Sequence, residues 1–548
     1  MSLSRPLEKQ KTWRVSVSLA APPILFNLRL YSVKTASSIG GIMLGNCRSF
    51  QNVVVCFVCV VACSFGSATA ETDKRARNFL SDIEWTFSGQ HRTRFETISP
   101  IPTVDTGRRD LISLRTSFTF EAQAGNFFIR SEVMDSRSFN PTRDNFLGDR
   151  SLSFTGIQPN NWSLFHNPFE PIQYHAGVEI DDLLVNGSSL EFLFGRYTLD
   201  IGSGRLFGRD DFRNTADSFF GWQTNWGTDE HFIQSFFAFP IAIVGGRSRS
   251  CRVFNSRFDC FSGSRYERYN GSVLDDVETD DRLWGLHYTN SVILRESNFE
   301  VYAFGSSQLP NFSVDAKNLT IGGRIHRAPN NGEFDFDIEG AVQLEIDERS
   351  EEGISFFAHA ELGRSFSSAW LPRLAIVFDI SSSTEFASEI QFLEFEGEIF
   401  EINSVFSVQR AFDRLYGRDD KDFGPGGIYG LFDGSEVLSA GVRFSAAPSD
   451  ALDVQATFRT YHIEDNPNLE ALFDEPSITA YWGSQIDGYF SHQFFDGIVE
   501  GKVGGAVFFS GDRLDTFFSS SQFNCEIFDS CRTAKPVNYF YTSLTIGF

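Results

Sequence analysis

The sequence has no apolar run beyond its amino-terminal region that could cross a membrane as a helix. After residue 70 no stretch of 18 or more apolar residues occurs in the 548-residue chain, whereas a membrane-spanning helix needs about 20. Methionine is scarce, with 3 residues, while aromatic residues make up 15% of the chain and Phe alone supplies 60 residues. This composition argues against a helical membrane protein and suits short strands that are apolar on one face only.

Positive charge is also scarce, and lysine is scarcer than arginine. The net charge is −24, and it falls to −30 without residues 1–70, which hold seven Lys or Arg and one Glu. Of the 40 bases that remain, 35 are Arg. The negative charge argues against a nucleic-acid partner, because attraction to phosphates supplies most of that binding. The arginine excess indicates planar, bidentate partners such as carboxylates, either in the protein or on a solute.

Residues 1–70 have the character of a leader. The apolar run 53–61 (VVVCFVCVV) follows Arg48 and precedes the small residues at 68–70, which is the order of regions in a secretory signal. We predict a leader over 1–70, with a signal-peptide core at about 43–70, cleavage before Glu71 and a mature chain of 71–548. Either Met1 or Met43 is the start.

The mature chain has four cysteines in two close pairs, Cys251/Cys260 and Cys525/Cys531. Neither pair has the CxxC spacing or the nearby histidine of a zinc site. In an oxidising compartment, two local disulfides are the simplest interpretation. No cofactor and no metal is expected.

Strict alternation of apolar and polar residues recurs from about Trp85 to the end of the chain. In 334–347 (FDFDIEGAVQLEID) the apolar residues share one face of a strand and the acids share the other. Segments 452–461 and 114–121 alternate in the same way. Since no segment resembles a domain linker, one sheet that closes on itself, with lipid outside and water inside, is expected.

The last segment, 539–548 (YFYTSLTIGF), predicts a closing strand that ends on the aromatic Phe548. Dividing the 478 mature residues by roughly 25–30 residues per strand and loop gives about 16–18 strands. We therefore predict an all-β fold, a transmembrane antiparallel β-barrel of about 18 strands (16–18), in the bacterial outer membrane and enclosing an aqueous lumen. The long polar stretches 140–170, 245–281, 417–433 and 512–536 are assigned to extracellular loops.

The passage 195–222 (GRYTLDIGSGRLFGRDDFRNTADSFFGW) carries the most specific motif. It resembles the alginate-export family of outer-membrane barrels, in which a strand ending in Gly-Arg is followed by Gly-x-x-Arg-Leu-x-Gly, an aromatic-Arg-x-Thr step and a Phe-rich return strand. Tyr197 stands where a Gln is common. Segments 92–96 (RTRFE), 132–139 (EVMDSRSF), 319–324 (LTIGGR) and 412–416 (FDRLY) resemble the family in the same order, so the likeness covers about 80–548.

The resemblance implies passive export of an acidic polysaccharide through a positively lined pore. Arginines in a narrow channel concentrate anions, and guanidinium forks bind carboxylates. The expected partners are outer-membrane lipid, an anionic saccharide or other organic anion, and the barrel-assembly machinery through the strand ending at Phe548. Parity predicts that Arg92, Arg94, Arg115, Arg130 and Arg459 face the pore, and the motif match adds Arg196, Arg205, Arg209, Arg213 and Arg324.

A structural interpretation of the same residues stays open. Inward carboxylates such as Glu96, Glu132 and Asp337 would pair with the arginines and brace a wide barrel. Glycines 202, 204 and 208 fit a tight turn or a pore constriction better than a phosphate-binding loop, because the spacing is wrong and no helix follows. The acidic run 275–281 (DDVETDD) is either a solvated loop or a divalent-cation site, with the loop favoured.

A channel is the first functional hypothesis. A general or small-anion porin for uptake is the alternative, followed by an outer-membrane enzyme and by a surface receptor acting through the long acidic loops. No Ser/His/acid order stands out, so the chain is not expected to be an enzyme.

Overall fold

In the computed structural model, the described residues form 24 strands. The described residues are 83–99, 109–139, 167–183, 185–242, 252–254, 257–259, 275–277, 279, 281–294, 296–308, 316–347, 353–386, 391–395, 398–402, 408–412, 415–418, 437–464, 479–511 and 536–548. Within them, no helix has the length and apolar character needed to cross a membrane.

The strands range from 2 to 16 residues in length and follow one another along the chain. Their bounds are β1 Glu84–Ser99, β2 Arg109–Ala124, β3 Phe127–Phe139, β4 Asn167–Asp181, β5 Ser189–Tyr197, β6 Phe219–Gly227, β7 His231–Ala242, β8 Arg252–Phe254, β9 Arg257–Asp259, β10 Asp276–Val277, β11 Asp281–Leu294, β12 Ser297–Gln308, β13 Ala316–Arg327, β14 Phe334–Asp347, β15 Gly353–Ser365, β16 Arg373–Phe386, β17 Gln391–Phe395, β18 Glu398–Ile402, β19 Val408–Ala411, β20 Val437–Ser449, β21 Leu452–Glu464, β22 Thr479–Phe494, β23 Val499–Ser510 and β24 Val537–Gly547.

Eighteen of these strands form one closed antiparallel barrel. They are β1 to β7, β11 to β16 and β20 to β24, each paired with its neighbours in chain order. The barrel closes where β1 pairs with β24, from Gln90 opposite Gly547 to Ser99 opposite Asn538. The short strands β10 and β19 add to β7 and β16, while β8–β9 and β17–β18 are separate hairpins. The predicted fold class and strand number are confirmed.

The two faces of the wall follow the predicted alternation. In β14, Phe334, Ile338 and Val342 are exposed on the outside, whereas Asp335 and Glu339 are buried on the inside. Because side chains alternate across a strand, every apolar residue of this set meets lipid and every acid meets the lumen. The terminal strand β24 behaves in the same way, with outward Phe540, Leu544 and Phe548 and buried inward Tyr539 and Tyr541.

The connections differ in length at the two ends of the barrel. Turns such as 125–126, 450–451 and 495–498 join strands at one end, which is the periplasmic end of such barrels, and the long connections lie at the other, extracellular end. Two predicted loop boundaries were wrong. Residues 167–170 belong to β4 and Asp281 begins β11, because both segments pair in the barrel.

Several predictions concern residues outside the described ranges. The leader 1–70 and its cleavage site lie there, as do Cys251, Cys260, Cys525 and Cys531.

Candidate functional site

The β5–β6 connection, residues 198–218, turns into the barrel; we call it the inward loop. Its side chains and backbone bond to inward-facing groups of β1, β2 and β3 and also to those of β14. In the order of the closed sheet, β1 and β14 lie nearly opposite each other. The inward loop therefore crosses the lumen from one wall to the other.

On the β1–β2 side, three arginines hold three successive main-chain carbonyls of residues 211–213. Arg92 donates to the carbonyl oxygens of residues 211 and 213, the second at 2.8 Å. Arg94 donates to that of residue 212 at 2.5 Å, and Arg115 donates to that of residue 213 at 3.2 Å. Arg94 also bonds Glu96 at 3.0 Å. These parity-predicted arginines lie inside the barrel, covered by the loop.

Asn214 fastens the loop to β2 and β3. Its Nδ2 donates to the carbonyl oxygen of Leu114 at 3.1 Å and to that of Arg137 at 3.2 Å, and Ser136 Oγ donates to the Asn214 carbonyl at 2.6 Å. Asn214 and Ser136 are fully buried. Buried amides and hydroxyls cost stability unless they are paired, so these bonds fix the position of the loop as well as its register.

On the opposite wall, Arg205 of the inward loop joins two acids of β14. It lies 2.6 Å from Glu339 and 3.1 Å from Asp337. Tyr302 donates to Glu339 at 3.0 Å, and Arg324 donates to Asp337 at 2.6 Å and 3.0 Å. Arg324, predicted to face the pore, is thus part of a lumen network that also holds the loop.

Aromatic packing surrounds Phe207 at the centre of the inward loop. Its ring centroid lies 5.0 Å from that of Phe304, 5.3 Å from Phe236, 6.1 Å from Tyr416 and 6.2 Å from Phe219. Phe207 is 1% exposed. The pair with Tyr416 is stacked and the other three are edge-to-face. Aromatic packing of both kinds adds to the burial of apolar area, so part of the lumen has an apolar core.

A second segment, residues 415–418, lies against the inward loop. Tyr416 N donates to the Leu206 carbonyl at 2.9 Å, Gly208 N donates to the Tyr416 carbonyl at 3.1 Å, and Arg418 N donates to the Gly204 carbonyl at 2.9 Å. Residues 417 and 418, the first of a predicted extracellular loop, lie outside the strands, and this part of the connection folds inward. The backbone groups of 415–418 find their partners inside the barrel instead of in water.

Gly202 and Gly204 are turn residues of the inward loop. Their φ angles are +57° and +77°, a region that side chains disfavour. A Cβ at Gly202 would come within 2.7 Å of Glu300 Oε2. The interpretation as a tight turn at a constriction agrees with this geometry.

Glu300 lies beneath that turn and collects three partners. It is 3.1 Å from His287 Nε2, 3.2 Å from His326 Nδ1 and 3.2 Å from Arg324. No set of three or more His, Cys, Asp or Glu in the described part of the chain is arranged to hold a metal.

Arg209 stands between the inward loop and β3. It bonds both oxygens of Glu132, at 2.6 Å and 2.7 Å, and lies 3.8 Å from Asp211. Burial alone would lower the pKa of Arg209, but the hydrogen bonds and the charge of Glu132 outweigh it, so the pKa is raised. The Arg209 side chain is 23% exposed, so its guanidinium remains partly accessible from the lumen.

The remaining predicted pore arginines also have carboxylate partners. Arg130 bonds Glu121 at 2.6 Å and is 40% exposed, whereas Arg459 bonds Asp379 at 2.6 Å and is buried. Arg213 lies 3.4 Å from Asp210 and also contacts Asp217.

Arg196 occupies the wall where the inward loop returns to it. It pairs with Glu170, lies 3.6 Å from Asp275 and donates to Ser218 Oγ at 2.8 Å. The preceding Gly195 has φ +140°, which interrupts the regular alternation of β5. The expectation that the run from Asp275 is solvated was wrong for Asp275 itself, which is fully buried and accepts from Asn167 at 2.8 Å.

Sequence reasoning missed the use of main-chain carbonyls as arginine partners and the aromatic packing around Phe207. In the sequence, the clustering of Phe in 207–220 indicates the aromatic packing. No residue pattern predicts which main-chain carbonyls accept from arginine, since every residue has a carbonyl.

The family model described as alginate export matches residues 84–520. Among solved structures, Acinetobacter baumannii OccAB4 is similar with a TM-score of 0.49 and 8% identity, covering 85% of this chain and 98% of that one. Pseudomonas aeruginosa OccD3 (OpdP) has a TM-score of 0.46 and 10% identity, covering 85% and 91%. Among curated proteins, no sequence matches this chain.

Proposed function

Because this chain belongs to the alginate export family and forms an 18-stranded barrel of the bacterial outer membrane, we propose that it conducts an anionic polysaccharide, or another organic anion, through a passage lined partly by arginine. The family match carries the proposal. The arginines on the inner face of the barrel support it. We propose no enzymatic activity.

Two arginines are suited to meet a solute. Arg130 and Arg209 are 40% and 23% exposed in the lumen. A guanidinium has five donors, so each can keep its bond to Glu121 or Glu132 and still offer N–H groups to a passing carboxylate. In a narrow channel with little water such contacts are stronger than on an open surface.

The test is ion selectivity and block in planar bilayers with the purified barrel. We expect anions to permeate better than cations, and alginate oligosaccharides to block current at lower concentrations than neutral maltooligosaccharides of equal length. Arg130→Gln with Arg209→Gln should reduce both preferences. Arg364→Ala is the matched control, since Arg364 is on the outer face, over the ring of Phe334 at 4.6 Å.

A cation-selective channel that acidic and neutral sugars block equally would contradict the proposal. A small-anion porin for uptake is the second candidate, favoured by the carboxylate partners that most predicted pore arginines have. It predicts flux of small organic anions in liposomes without translocation of polymer.

We also propose the processing and assembly predicted above. Mass spectrometry of the protein from outer membranes should give a chain beginning at Glu71, with Cys251 bonded to Cys260 and Cys525 bonded to Cys531. The terminal strand ending at Phe548 is proposed to bind the barrel-assembly machinery.

A further inference from the structure

We infer that Arg92, Arg94 and Arg115 are positioning residues of the channel, which set its width by holding the main chain of the inward loop instead of binding the solute. This deepens the proposed function and rests on it only where current is measured.

Most partners of these arginines are oxygens of the loop; the exception is Glu96 of β1, which Arg94 bonds at 3.0 Å. Arg92 donates to two main-chain carbonyls and lies 3.4 Å from Asn214 Oδ1. Among the described residues it has no carboxylate at ion-pair distance. Arg115 has one carboxylate, Asp211 at 3.4 Å, which belongs to the loop itself. A wall brace would instead join one strand to another, as Arg459 joins β21 to Asp379 of β16.

Burial separates these three arginines from any solute. Arg92, Arg94 and Arg115 are 6%, 3% and 5% exposed, so the inward loop covers them. Their charge contributes to the potential in the lumen, but at least one terminal nitrogen of each arginine bonds the loop. Arg94 Nε bonds Glu96, and Arg92 Nε is buried without a hydrogen-bond partner among the residues that the structure describes. A solute could reach them only if the loop moved away.

The shape of guanidinium explains the choice of arginine here. Its planar fork donates to two acceptors in fixed directions, whereas a lysine ammonium is a compact charge on a flexible stem. One Arg92 side chain can therefore fix two carbonyls, of residues 211 and 213, at once. A lysine would keep the positive charge and lose this double hold.

The opposite attachment makes the arrangement sensitive to the β1–β2 side. Arg205 holds the loop to β14, and Phe207 holds it in an aromatic cluster. If these three arginine bonds were lost, residues 211–213 would move more freely, while Arg209 and Asn214 on either side would stay bonded to the wall. The passage on the β1–β2 side would widen.

The test compares Arg92→Lys/Arg94→Lys with wild type, in detergent and in bilayers. Loss of the charge-assisted bonds should speed amide hydrogen exchange of peptides covering 209–215 by about tenfold or more. Single-channel current in KCl should rise, and larger neutral polyethylene glycols should enter the pore. The ratio of anion to cation permeability should change little, because the charge is kept.

Arg373→Lys is the matched control. Arg373 also lies in the lumen and forks onto carboxylates, Asp335 at 3.0 Å and Glu361 at 2.5 Å, but these belong to the wall. It should leave exchange of the loop unchanged. If the double variant does not fold, Arg115→Lys, which removes the 3.2 Å bond and alters the 3.4 Å pair with Asp211, gives a smaller shift in the same direction.

Unchanged exchange in the folded variants would overturn the inference, as would faster exchange with unchanged current and polymer size limit. The exchange measurement needs no solute. A wild-type channel without anion preference would therefore defeat the proposed function, while the exchange and size-limit results would still decide this inference.

Discussion

Replacing Phe207 by Ala tests whether the aromatic cluster holds the inward loop in the lumen. The ring is 1% exposed and packs against four others at 5.0–6.2 Å between centroids. Removing a buried Phe side chain costs about 3–5 kcal/mol. Phe207 belongs to no barrel strand, so this cost falls on docking of the loop and leaves the strand pairing intact.

A loss of about 3 kcal/mol lowers the ratio of docked to undocked loop by roughly 150-fold. We expect amide exchange of peptides covering 198–218 to accelerate by a comparable factor up to the limit set by the wild-type docking energy. Exchange of the strand peptides should not change. The neutral-polymer size limit of the pore should increase.

Phe87→Ala is the control, because Phe87 is 65% exposed on the lipid side and its ring meets Phe120 at 5.0 Å. It removes the same atoms without touching the loop. If Phe207→Ala left loop exchange within about twofold of wild type, the docking energy would have to come from elsewhere and the reasoning would be refuted.

Three further changes test separate contacts. Arg205→Met leaves buried Glu339 and half-buried Asp337 without their loop partner and should lower stability by roughly 3–5 kcal/mol, seen as an earlier guanidinium unfolding midpoint; an unchanged midpoint would contradict the pairing. Gly202→Ala adds a Cβ toward Glu300 at φ +57° and should lower the melting temperature more than Gly187→Ala, where φ is +80° but no atom lies within 4 Å. Equal decreases would mean that backbone strain explains both and that the contact with Glu300 adds nothing. Deleting Phe548, which exchanges hydrogen bonds with Gly89, should reduce insertion in cells more than refolding in detergent, and equal losses would argue against a role in assembly.

Much of the wall could be predicted from the sequence because strand side chains repeat every two residues. Alternation in 334–347 predicts that Asp335 and Glu339 face inward, and the same parity predicts inward positions for Arg94, Arg115 and Arg459; all five are buried in the structure. Chain length then predicted the number of strands. These properties are local, so a single sequence carries them.

The lumen contacts could not be predicted in the same way. Arg92 bonds the backbone of residues more than a hundred positions away, and a carbonyl acceptor leaves no trace in residue identity. At Arg196, strand parity does not predict which way the side chain points, because Gly195 at φ +140° interrupts the strand. Asn167 donates to Asp275, which lies in a long connection. The composition of that connection indicates a polar segment but does not predict this contact.

The pairing of β1 with β24 has a consequence for biogenesis. The residues that meet there, such as Gln90 and Gly547, belong to the first and the last strand of the barrel, so the ring cannot close before β24 has been synthesised. Until then the nascent polypeptide presents unpaired strand margins that can join other chains, and such long-range contacts form slowly. Closure of the barrel therefore removes the free margins that the first and last strands present before they pair.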